Sequence, residues 1–501
     1  MRFRKLKFLS MVLSVFLFVM TASAQTQPLV TDEFLAQFEQ LVRDEMVHYE
    51  IPGVAIAVIA GDEVVYAQGF GLRDIENELP FTTQTQFRIG STTKSMTSML
   101  IAQLVDEGLI TWDTPVTDLF PTFQTSNAEL TAQITIRDLM GMNTGLISSP
   151  LDGLTWDLWD IDALLGAISK MQIGGDFREF YSYNNEVYAL GGYAGVVASD
   201  LDATLDSYKT LMQTRIFDPI GMTSAIITDD VSLLSEDYAQ SYEKSLMTGE
   251  ASLMPNPPIH FVAPAGAVWT NLEDMAKYVI TQMNEGIAPD GTRLVSQENL
   301  SQTWQPSVKI EGEPAGIENT AYGMGWVTQT YQGVSVRYHD GGWAGYSTQM
   351  VILPEDDVAL IIFANASHGG LFGNMLNYAF IELLHGFEPS AVETAHGMWD
   401  ATLAGFQQAQ ALVTTEITDD MAAYLGTYEG DWVLEQREDG SLWLNRGAWE
   451  FQLGFISTMG MYAIVNNGGA GALVTFEMDG DAVVLSVQLG EGGLLTIRKI
   501  E

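Results

Sequence analysis

Strand-forming segments occur at both ends of a long helical stretch, and this spacing limits the folds that the chain can adopt. Near the start, β-rich runs at 53–59 and 63–68 flank an Ala-Gly-Asp turn, a pattern that predicts a hairpin. The pattern is mostly helical from about residue 91 to residue 261, and strand runs return at 334–338, 346–353 and 359–365. Strands from both regions can share one antiparallel sheet, which makes the stretch between them an inserted all-helical subdomain.

Two helical segments flank these strands and are predicted to cover the sheet. Thr31 is a typical helix cap, and apolar residues near helical spacing follow it over 32–48. A second helical pattern spans about 372–384, after the last of these strand runs. The predicted fold class is α+β: an α/β sandwich of an antiparallel sheet flanked by helices, beside the all-helical subdomain.

A second, smaller domain is predicted at the C-terminus. The chain has 501 residues, 47% of them hydrophobic, which is enough for more than one domain. Regular signals weaken between about 386 and 420, and short strand runs broken by Gly, Asn and Asp fill 424–501. We predict a main domain over 25–388, a linker over 389–415 and an antiparallel all-β domain over 416–501.

The first 24 residues have the pattern of a secretory signal peptide. Four basic residues precede an apolar run over 8–20, and Ala22-Ser23-Ala24 forms a small-residue cleavage site. We predict cleavage after Ala24 and an exported protein, periplasmic or extracellular. An uncleaved membrane anchor is the alternative, but the apolar run is short for a bilayer span. No later segment is predicted to cross a membrane.

Charge and cysteine content exclude several kinds of chemistry. The formal net charge is −42, so a nucleic-acid partner would be repelled. The chain contains no cysteine, so a disulfide, a thiolate nucleophile and a cysteine-ligated metal are all excluded. Any catalysis must use other side chains.

A serine and a lysine one helical turn apart are the first candidates for catalysis. Ser91-Thr92-Thr93-Lys94 opens a helical run, so Ser91 and Lys94 share one face of its first turn. A serine hydroxyl needs a base, and a lysine amine can act as one when burial or positive potential lowers its pKa. A buried helix N-terminus would provide both effects and could also polarise an acyl carbonyl.

The same spacing occurs a second time, at Ser241 and Lys244. A Ser-x-x-Lys match is weak by itself, because roughly one is expected by chance in a chain of this composition. The second match lacks a following amphipathic run and has a glutamate beside its lysine. We interpret it as a solvated surface segment without a catalytic role.

Two further segments contain polar groups suited to acyl chemistry. Tyr183-Asn184-Asn185 precedes a helical run, where the Tyr183 phenol could share a proton with Lys94 and the Asn185 amide could bind a substrate carbonyl. His339-Asp340-Gly341-Gly342 lies between strand runs, where glycines let a substrate approach and an exposed N–H can donate to an oxyanion. Ordinary loop residues and a glycine-rich hairpin turn are the alternatives. No metal site is predicted, because the other histidines lack ligand-like clustering.

These elements resemble, in order and separation, the class C β-lactamase-like serine hydrolases, which include penicillin-binding carboxypeptidases, D-aminopeptidases and family VIII-type esterases. The family motifs Ser-x-x-Lys, Tyr-x-Asn and Lys/His-x-Gly match Ser91/Lys94, Tyr183/Asn185 and His339/Gly341. The resemblance covers about residues 31–384. Further similar stretches are 134–139, 144–146, 216–222, 264–266 and 322–326.

The resemblance implies a β-lactamase/transpeptidase-like fold and a role for each matched residue. Ser91 would be acylated, Lys94 and Tyr183 would manage its proton, and Asn185 would orient the substrate. The oxyanion would lie between the backbone N–H groups of Ser91 and Gly342. No cofactor is implied.

His339 is a departure from the family pattern, because β-lactamases of this class usually have a lysine there. A lysine holds a fixed charge for a substrate carboxylate, whereas a histidine is only partly charged near neutral pH. This difference favours cleavage of an ester or a D-amino-acid peptide over that of a β-lactam. A non-catalytic penicillin-binding-protein-like module that binds cell-wall peptides or a partner is the alternative function. The sequence leaves the oligomeric state open.

Overall fold

The computed structural model describes residues 29–147, 160–415, 421–447, 449–456, 461–465, 472–479, 482–489 and 493–500. The predicted signal peptide lies outside these residues. Within them, no helix is both long and apolar enough to cross a bilayer.

Strands from the two ends of the main domain share one antiparallel sheet, as the sequence predicted. Val54 of one strand is paired with Ala364 of the other, so the N-terminal hairpin joins the later strands directly. In spatial order, the nine strands of this sheet among the described residues are Leu79–Pro80, Glu63–Asp74, Gly53–Ala60, Val358–Ala364, Tyr346–Leu353, Val334–Trp343, Val327–Tyr331, Ile317–Tyr322 and Val308–Lys309.

Helices cover both faces of the sheet, which explains why the central strands Tyr346–Leu353 and Val358–Ala364 are buried along their whole length. On one face, helices Asp32–His48 and Gly369–His385 meet through Phe38 and Phe380, whose ring centroids are 5.0 Å apart. On the other face, alternate side chains such as Met350 point into the core of the helical subdomain. Every residue of Tyr346–Leu353 is buried, because a strand covered on both faces has no solvent side.

The subdomain between residues 91 and 307 is mostly but not wholly helical. Its longer helices are Thr93–Asp106, Ile161–Ile168, Asn185–Ala198, Leu205–Met212 and Leu272–Met283. Shorter ones are Val116–Leu119, Ala128–Gln133, Ile136–Met140, Asp218–Ile220 and Gln297–Gln302. Strand pairings of two or three residues also occur at Ile226–Ile227, Tyr242–Lys244, Ala251–Leu253 and Val268–Thr270, the last of which also pairs with Phe87–Arg88. Strands this short do not produce a readable alternation in the sequence.

Helix Thr93–Asp106 runs through the centre of the subdomain, with residues 93 to 104 buried. Helix Asn185–Ala198 packs closely against it through glycine. A β-carbon on Gly195 would lie 2.7 Å from Cδ1 of Ile101, so a larger residue would require the Ile101 side chain to move. This contact fixes the helix that contains Lys94 relative to the helix that begins at Asn185.

The predicted linker contains the 22-residue helix Ala391–Leu412. The C-terminal sheet that follows has its own apolar core, which includes Trp432, Leu444 and Leu485. Lys499, just after the last strand, bridges to Tyr428 of strand Gly426–Tyr428. The described strands are Val413–Thr414, Gly426–Tyr428, Trp432–Gln436, Leu442–Arg446, Trp449–Ile456, Met461–Ile464, Leu473–Asp479, Ala482–Leu489 and Gly493–Arg498.

Candidate active site

Ser91 and Lys94 lie side by side at the start of the central helix. Ser91 is in the 3-10 turn Gly90–Thr92, and Lys94 is the second residue of helix Thr93–Asp106. The Oγ of Ser91 is 3.0 Å from the Nζ of Lys94, although Lys94 as a residue is 0% exposed. The structure therefore places a hydroxyl within hydrogen-bond distance of a buried amine.

Two neutral oxygens hold the Lys94 amine in place. Its Nζ donates to Oδ1 of Asn185 at 2.7 Å and to the backbone oxygen of Ala265 at 2.8 Å. Asn185 is fixed because it begins a helix whose cap is Asn184, which accepts from the Val187 N–H at 2.9 Å. An unprotonated amine that donates two N–H groups in this way can direct its lone pair at the Ser91 hydroxyl.

Tyr183 lies directly above the same amine. The centre of its ring is 4.6 Å from Lys94 Nζ, and its hydroxyl is close enough to Ser91 for that side chain to lower the pKa of the phenol. Burial raises the pKa of Tyr183 well above its ordinary value, and the interaction with Ser91 lowers it by a smaller amount. Tyr183 is thus a neutral phenol at physiological pH, able to donate a proton.

Gly341 and Gly342 bring a strand against the turn that contains Ser91. They belong to Val334–Trp343 and are paired with Thr348 and Ser347, so they lie in the body of a hairpin, before its turn. A β-carbon on Gly341 would be 2.0 Å from the backbone oxygen of Ile89 and 3.1 Å from the backbone nitrogen of Ser91. Only glycine permits this approach, which brings the backbones around Ser91 and Gly342 together.

His339 is buried and neutral, which corrects the expectation of a partly charged group. It is 1% exposed; its Nε2 is 3.0 Å from the Tyr322 hydroxyl and its Nδ1 is 2.5 Å from the backbone oxygen of Asp340. Burial lowers the pKa of His339 well below 6.5; Asp340 opposes this shift and Lys94 adds to it. The ring is 6.2 Å from that of Tyr183, so His339 packs beside the site without bringing a charge to it.

The second Ser-x-x-Lys segment is not solvated, so that part of its interpretation was wrong. Ser241 is 1% exposed, because its segment packs between the main sheet and the turn at Gly345. Lys244 ends the short strand Tyr242–Lys244 and is paired with Glu50. On a strand, residues three apart point to opposite faces, so Ser241 and Lys244 are not arranged like Ser91 and Lys94.

A buried ion pair beside the site was not recognised from the sequence. Arg88, three residues before Ser91, is 0% exposed and its Nη2 is 2.6 Å from Oδ1 of Asp229. Its guanidinium also lies 5.9 Å from the ring of Trp343, which follows Gly342. The backbone oxygen of Pro257 accepts from both Arg88 and Trp343. The positive charge of Arg88 was a signal, since it lies between the apolar residues Phe87 and Ile89.

The contributions of Ala265 and Tyr322 were also not recognised from the sequence, although both residues lie in stretches that carry the family resemblance. A backbone acceptor such as Ala265 has no side-chain signature, and Tyr322 meets His339 and Tyr183 through contacts that only the tertiary fold creates. Among the described residues, no group of three or more His, Asp or Glu side chains is arranged to hold a metal ion.

Comparisons with known proteins agree with this architecture. The structure resembles an octameric penicillin-binding protein homologue from Pyrococcus abyssi, with a TM-score of 0.62 and 21% identity, over 93% of this chain and 100% of that one. That likeness defines a penicillin-binding-protein-like fold. The sequence profile of the Beta-lactamase family matches residues 38–383, and the chain therefore belongs to this family.

Several relatives have named activities. An unguisins hydrolase from Aspergillus campestris is 30% identical over 69% of this chain and 64% of its own length. A D-aminopeptidase from Gluconobacter oxydans is 26% identical over 67% of this chain and 60% of its own length. Penicillin-binding protein 4 of Amycolatopsis lactamdurans is 26% identical over 67% of this chain and 86% of its own length. The chain thus spans less than two thirds of the length of the first two relatives.

Proposed function

We propose that the chain is an exported serine hydrolase that cleaves an ester or a D-amino-acid peptide through an acyl intermediate on Ser91. The observation that carries the proposal is the 3.0 Å separation of the Ser91 Oγ from the buried Nζ of Lys94. Membership of a family whose relatives include hydrolases supports the same reaction class.

In the proposed first step, Ser91 Oγ forms a bond to the substrate carbonyl carbon and its proton passes to the Lys94 amine. Breakdown of the tetrahedral adduct expels an alcohol or amine, and the proton reaches that leaving group through the neutral phenol of Tyr183. Water then attacks the acyl-Ser91 ester, gives up a proton to the same groups, and releases a carboxylic acid and free Ser91. The hydrogen bonds from Nζ to Asn185 and Ala265 support this role for Lys94, because they orient the amine toward the serine.

The developing oxyanion needs two donors, and we assign the backbone N–H groups of Ser91 and Gly342. The close approach of Gly341 to Ile89 and Ser91 supports this assignment. Losing one such donor typically costs about 10²–10³ in kcat.

The neutral His339 supports a substrate without a carboxylate at the position where a β-lactam carries one. A β-lactam would therefore be cleaved poorly, since no fixed charge from His339 attracts its carboxylate. Kinetics on a short-chain ester, a D-Ala dipeptide and a chromogenic cephalosporin, measured in parallel, test the assignment. A cephalosporin with the highest kcat/KM of the three would contradict it.

The experiment that tests the nucleophile compares Ser91→Ala with Ser241→Ala, which removes the serine of the other Ser-x-x-Lys match. We expect Ser91→Ala to lose nitrophenyl-ester turnover by at least about 10³-fold and to lose labelling by a fluorophosphonate probe. Ser241→Ala should retain both. If the Ser91→Ala enzyme keeps its activity, the nucleophile is another residue. If the wild type hydrolyses none of the ester, dipeptide and cephalosporin substrates, while the wild type and Ser91→Ala both bind peptide, the alternative of a non-catalytic binding module replaces this proposal.

Export is proposed from the N-terminal pattern alone. We expect the protein secreted by a bacterial host to begin at Gln25, as read by N-terminal sequencing. Retention of Met1 in the membrane fraction would contradict cleavage after Ala24.

A further inference from the structure

We propose that the C-terminal β domain positions the strand that contains Gly342, through a segment over 239–257, and that Leu246 is the positioning residue of this segment. This inference rests on the proposed function, because it assigns the Gly342 N–H to the oxyanion. It gives the C-terminal domain a part in the reaction through the 239–257 segment.

The middle of the segment docks on the C-terminal domain. Strands Tyr242–Lys244 and Ala251–Leu253 form a hairpin, and Leu246 near its tip is 1% exposed. Leu246 packs in an apolar cluster whose other buried members are Ile456, Ala463 and Val465, all from the C-terminal domain. Its N–H also donates to the Val465 oxygen at 3.1 Å. The tip of the hairpin is therefore part of the core between the two domains.

The connector helix Ala391–Leu412 holds the same tip from another side. Nε2 of Gln410 donates to the backbone oxygen of Met247 at 3.2 Å, and Phe406 packs against the apolar cluster. Two elements outside the main domain thus fix the tip in position.

The two ends of the segment make hydrogen bonds and close contacts with the turn that follows Gly342. At one end, the Tyr346 hydroxyl donates to the Ala239 oxygen at 2.8 Å, and a β-carbon on Gly345 would lie 2.9 Å from the Tyr242 nitrogen. At the other end, Nε1 of Trp343 donates to the Pro257 oxygen at 3.1 Å. The segment therefore contacts the turn before and after the hairpin.

That turn depends on outside support. It is a two-residue loop between Trp343 and Tyr346, and both central residues have positive φ, +42° at Ala344 and +84° at Gly345. Alanine is a poor residue for a position that requires positive φ, so the local sequence favours this conformation only weakly. Contacts from the 239–257 segment stabilise this turn conformation and fix the position of the strand end.

The base of the hairpin is hydrogen-bonded to the main sheet. If the tip moves, the segment should therefore rotate about this base. The Tyr242 N–H donates to the Asn365 oxygen at 3.1 Å, and the Ser367 N–H donates to the Tyr242 oxygen at 2.8 Å. Loss of the docked tip should therefore loosen the turn at 343–346 while leaving the sheet intact.

The experiment uses the full chain with Leu246→Ala, and Leu253→Ala as the matched control. Leu253 lies on the same hairpin but is 45% exposed. We expect Leu246→Ala to lower kcat by roughly tenfold per serine titrated with fluorophosphonate, with little change in KM, because the oxyanion donor is displaced and the rest of the site is not. Hydrogen exchange at the amides of 343–346 should quicken in parallel. Leu253→Ala should match the wild type in both measurements.

A merely structural role predicts a different result. Leu246→Ala would then melt at a lower temperature, yet keep the wild-type kcat per titrated serine and the wild-type exchange at 343–346, and that result overturns the proposal. If Leu246→Ala does not fold, Gln410→Ala removes the Met247 contact without opening a cavity and should quicken the same exchange; unchanged exchange overturns the proposal equally. A wild type with no titratable serine refutes the proposed function instead, and the exchange data still decide whether the domains are coupled.

Discussion

Gly90 packs directly against Gly342: a β-carbon on Gly90 would lie 2.6 Å from the Gly342 backbone nitrogen. Gly90 also has a φ of +53°, a conformation that L-residues with side chains rarely adopt. The residue before the candidate nucleophile and the candidate oxyanion donor are thus held at a separation that any side chain on Gly90 would change.

Gly90→Ala should therefore reduce activity. We expect kcat per titrated serine to fall at least roughly tenfold, because the methyl group pushes the Gly342 N–H away from the oxyanion. Gly108→Ala is the control, since Gly108 has a φ of +72° but no atom within 4 Å of an added β-carbon. It should cost about 1 kcal/mol of stability and leave kcat unchanged. Equal loss of kcat in both variants would attribute the effect to backbone strain instead.

Lys94→Arg should abolish acylation, because it replaces an amine that can be unprotonated with a group that stays protonated. A guanidinium remains protonated in proteins, so it cannot accept the Ser91 proton as the lysine amine is proposed to do. We expect the second-order rate of fluorophosphonate labelling at Ser91 to fall by at least about 10³-fold. Labelling at the wild-type rate would show that the proton goes elsewhere.

Removing only the Asp229 carboxylate should lower the free energy of unfolding more than removing both charges of the Arg88–Asp229 pair. Asp229→Ala leaves the fully buried guanidinium of Arg88 without its carboxylate, and we expect a loss of about 3 kcal/mol in urea denaturation. The double variant with Arg88→Met removes the uncompensated charge and should be more stable than Asp229→Ala alone. A double variant in which the two losses simply add would argue against charge burial as the cause.

His339 should make the stability of the wild type depend on pH. Since its folded pKa lies below the unfolded value near 6.5, its neutral form stabilises the fold fully above that pH. As the pH falls below about 6.5, the unfolded chain gains a proton that the folded chain refuses, and stability is lost. The groups around the ring are the Tyr322 hydroxyl, the Asp340 carboxylate and the Lys94 amine.

The measurement compares wild type and His339→Gln by thermal unfolding at several pH values from 7 to 5. We expect the wild type to lose roughly 2 kcal/mol more than the variant over this range. Burial also lowers the pKa of His368, but that residue is present in both proteins and its contribution cancels. Parallel curves would mean that His339 becomes protonated in the folded state.

Long elements with a clear period were predictable from the sequence. Helix Asp32–His48 begins and ends where the Thr31 cap and the apolar spacing placed it. The shared sheet was also predicted, because strand runs such as 53–59 and 359–365 occur on both sides of the helical stretch. What the pattern could not give was the exact extent: the strand from Val334 continues through the glycines to Trp343, since pairing with Tyr346–Leu353 compensates for their low strand preference.

The sequence predicted which residues form the candidate site, but not the tertiary contacts that surround them. The spacing of Ser91 and Lys94 survives because both belong to one helical turn, whereas Asn185 and Ala265 reach the amine only through the tertiary fold. The neutrality of His339 depends on how deeply it is buried, which its neighbours in the sequence do not reveal. The same limit explains Ser241 and Lys244, whose spacing matches but whose backbone is a strand.

The pairing of Gly53–Ala60 with Val358–Ala364 sets the order in which the protein can form. Until the ribosome has made residue 364, the apolar edge of the N-terminal hairpin has no neighbour, and the helical subdomain must collapse without the sheet that supports it. Contacts between residues so distant in the chain form slowly. Until they form, the partly folded chain exposes apolar surface and is prone to aggregation. The yield of folded protein should therefore depend on chaperones during synthesis more than on the stability of the native core.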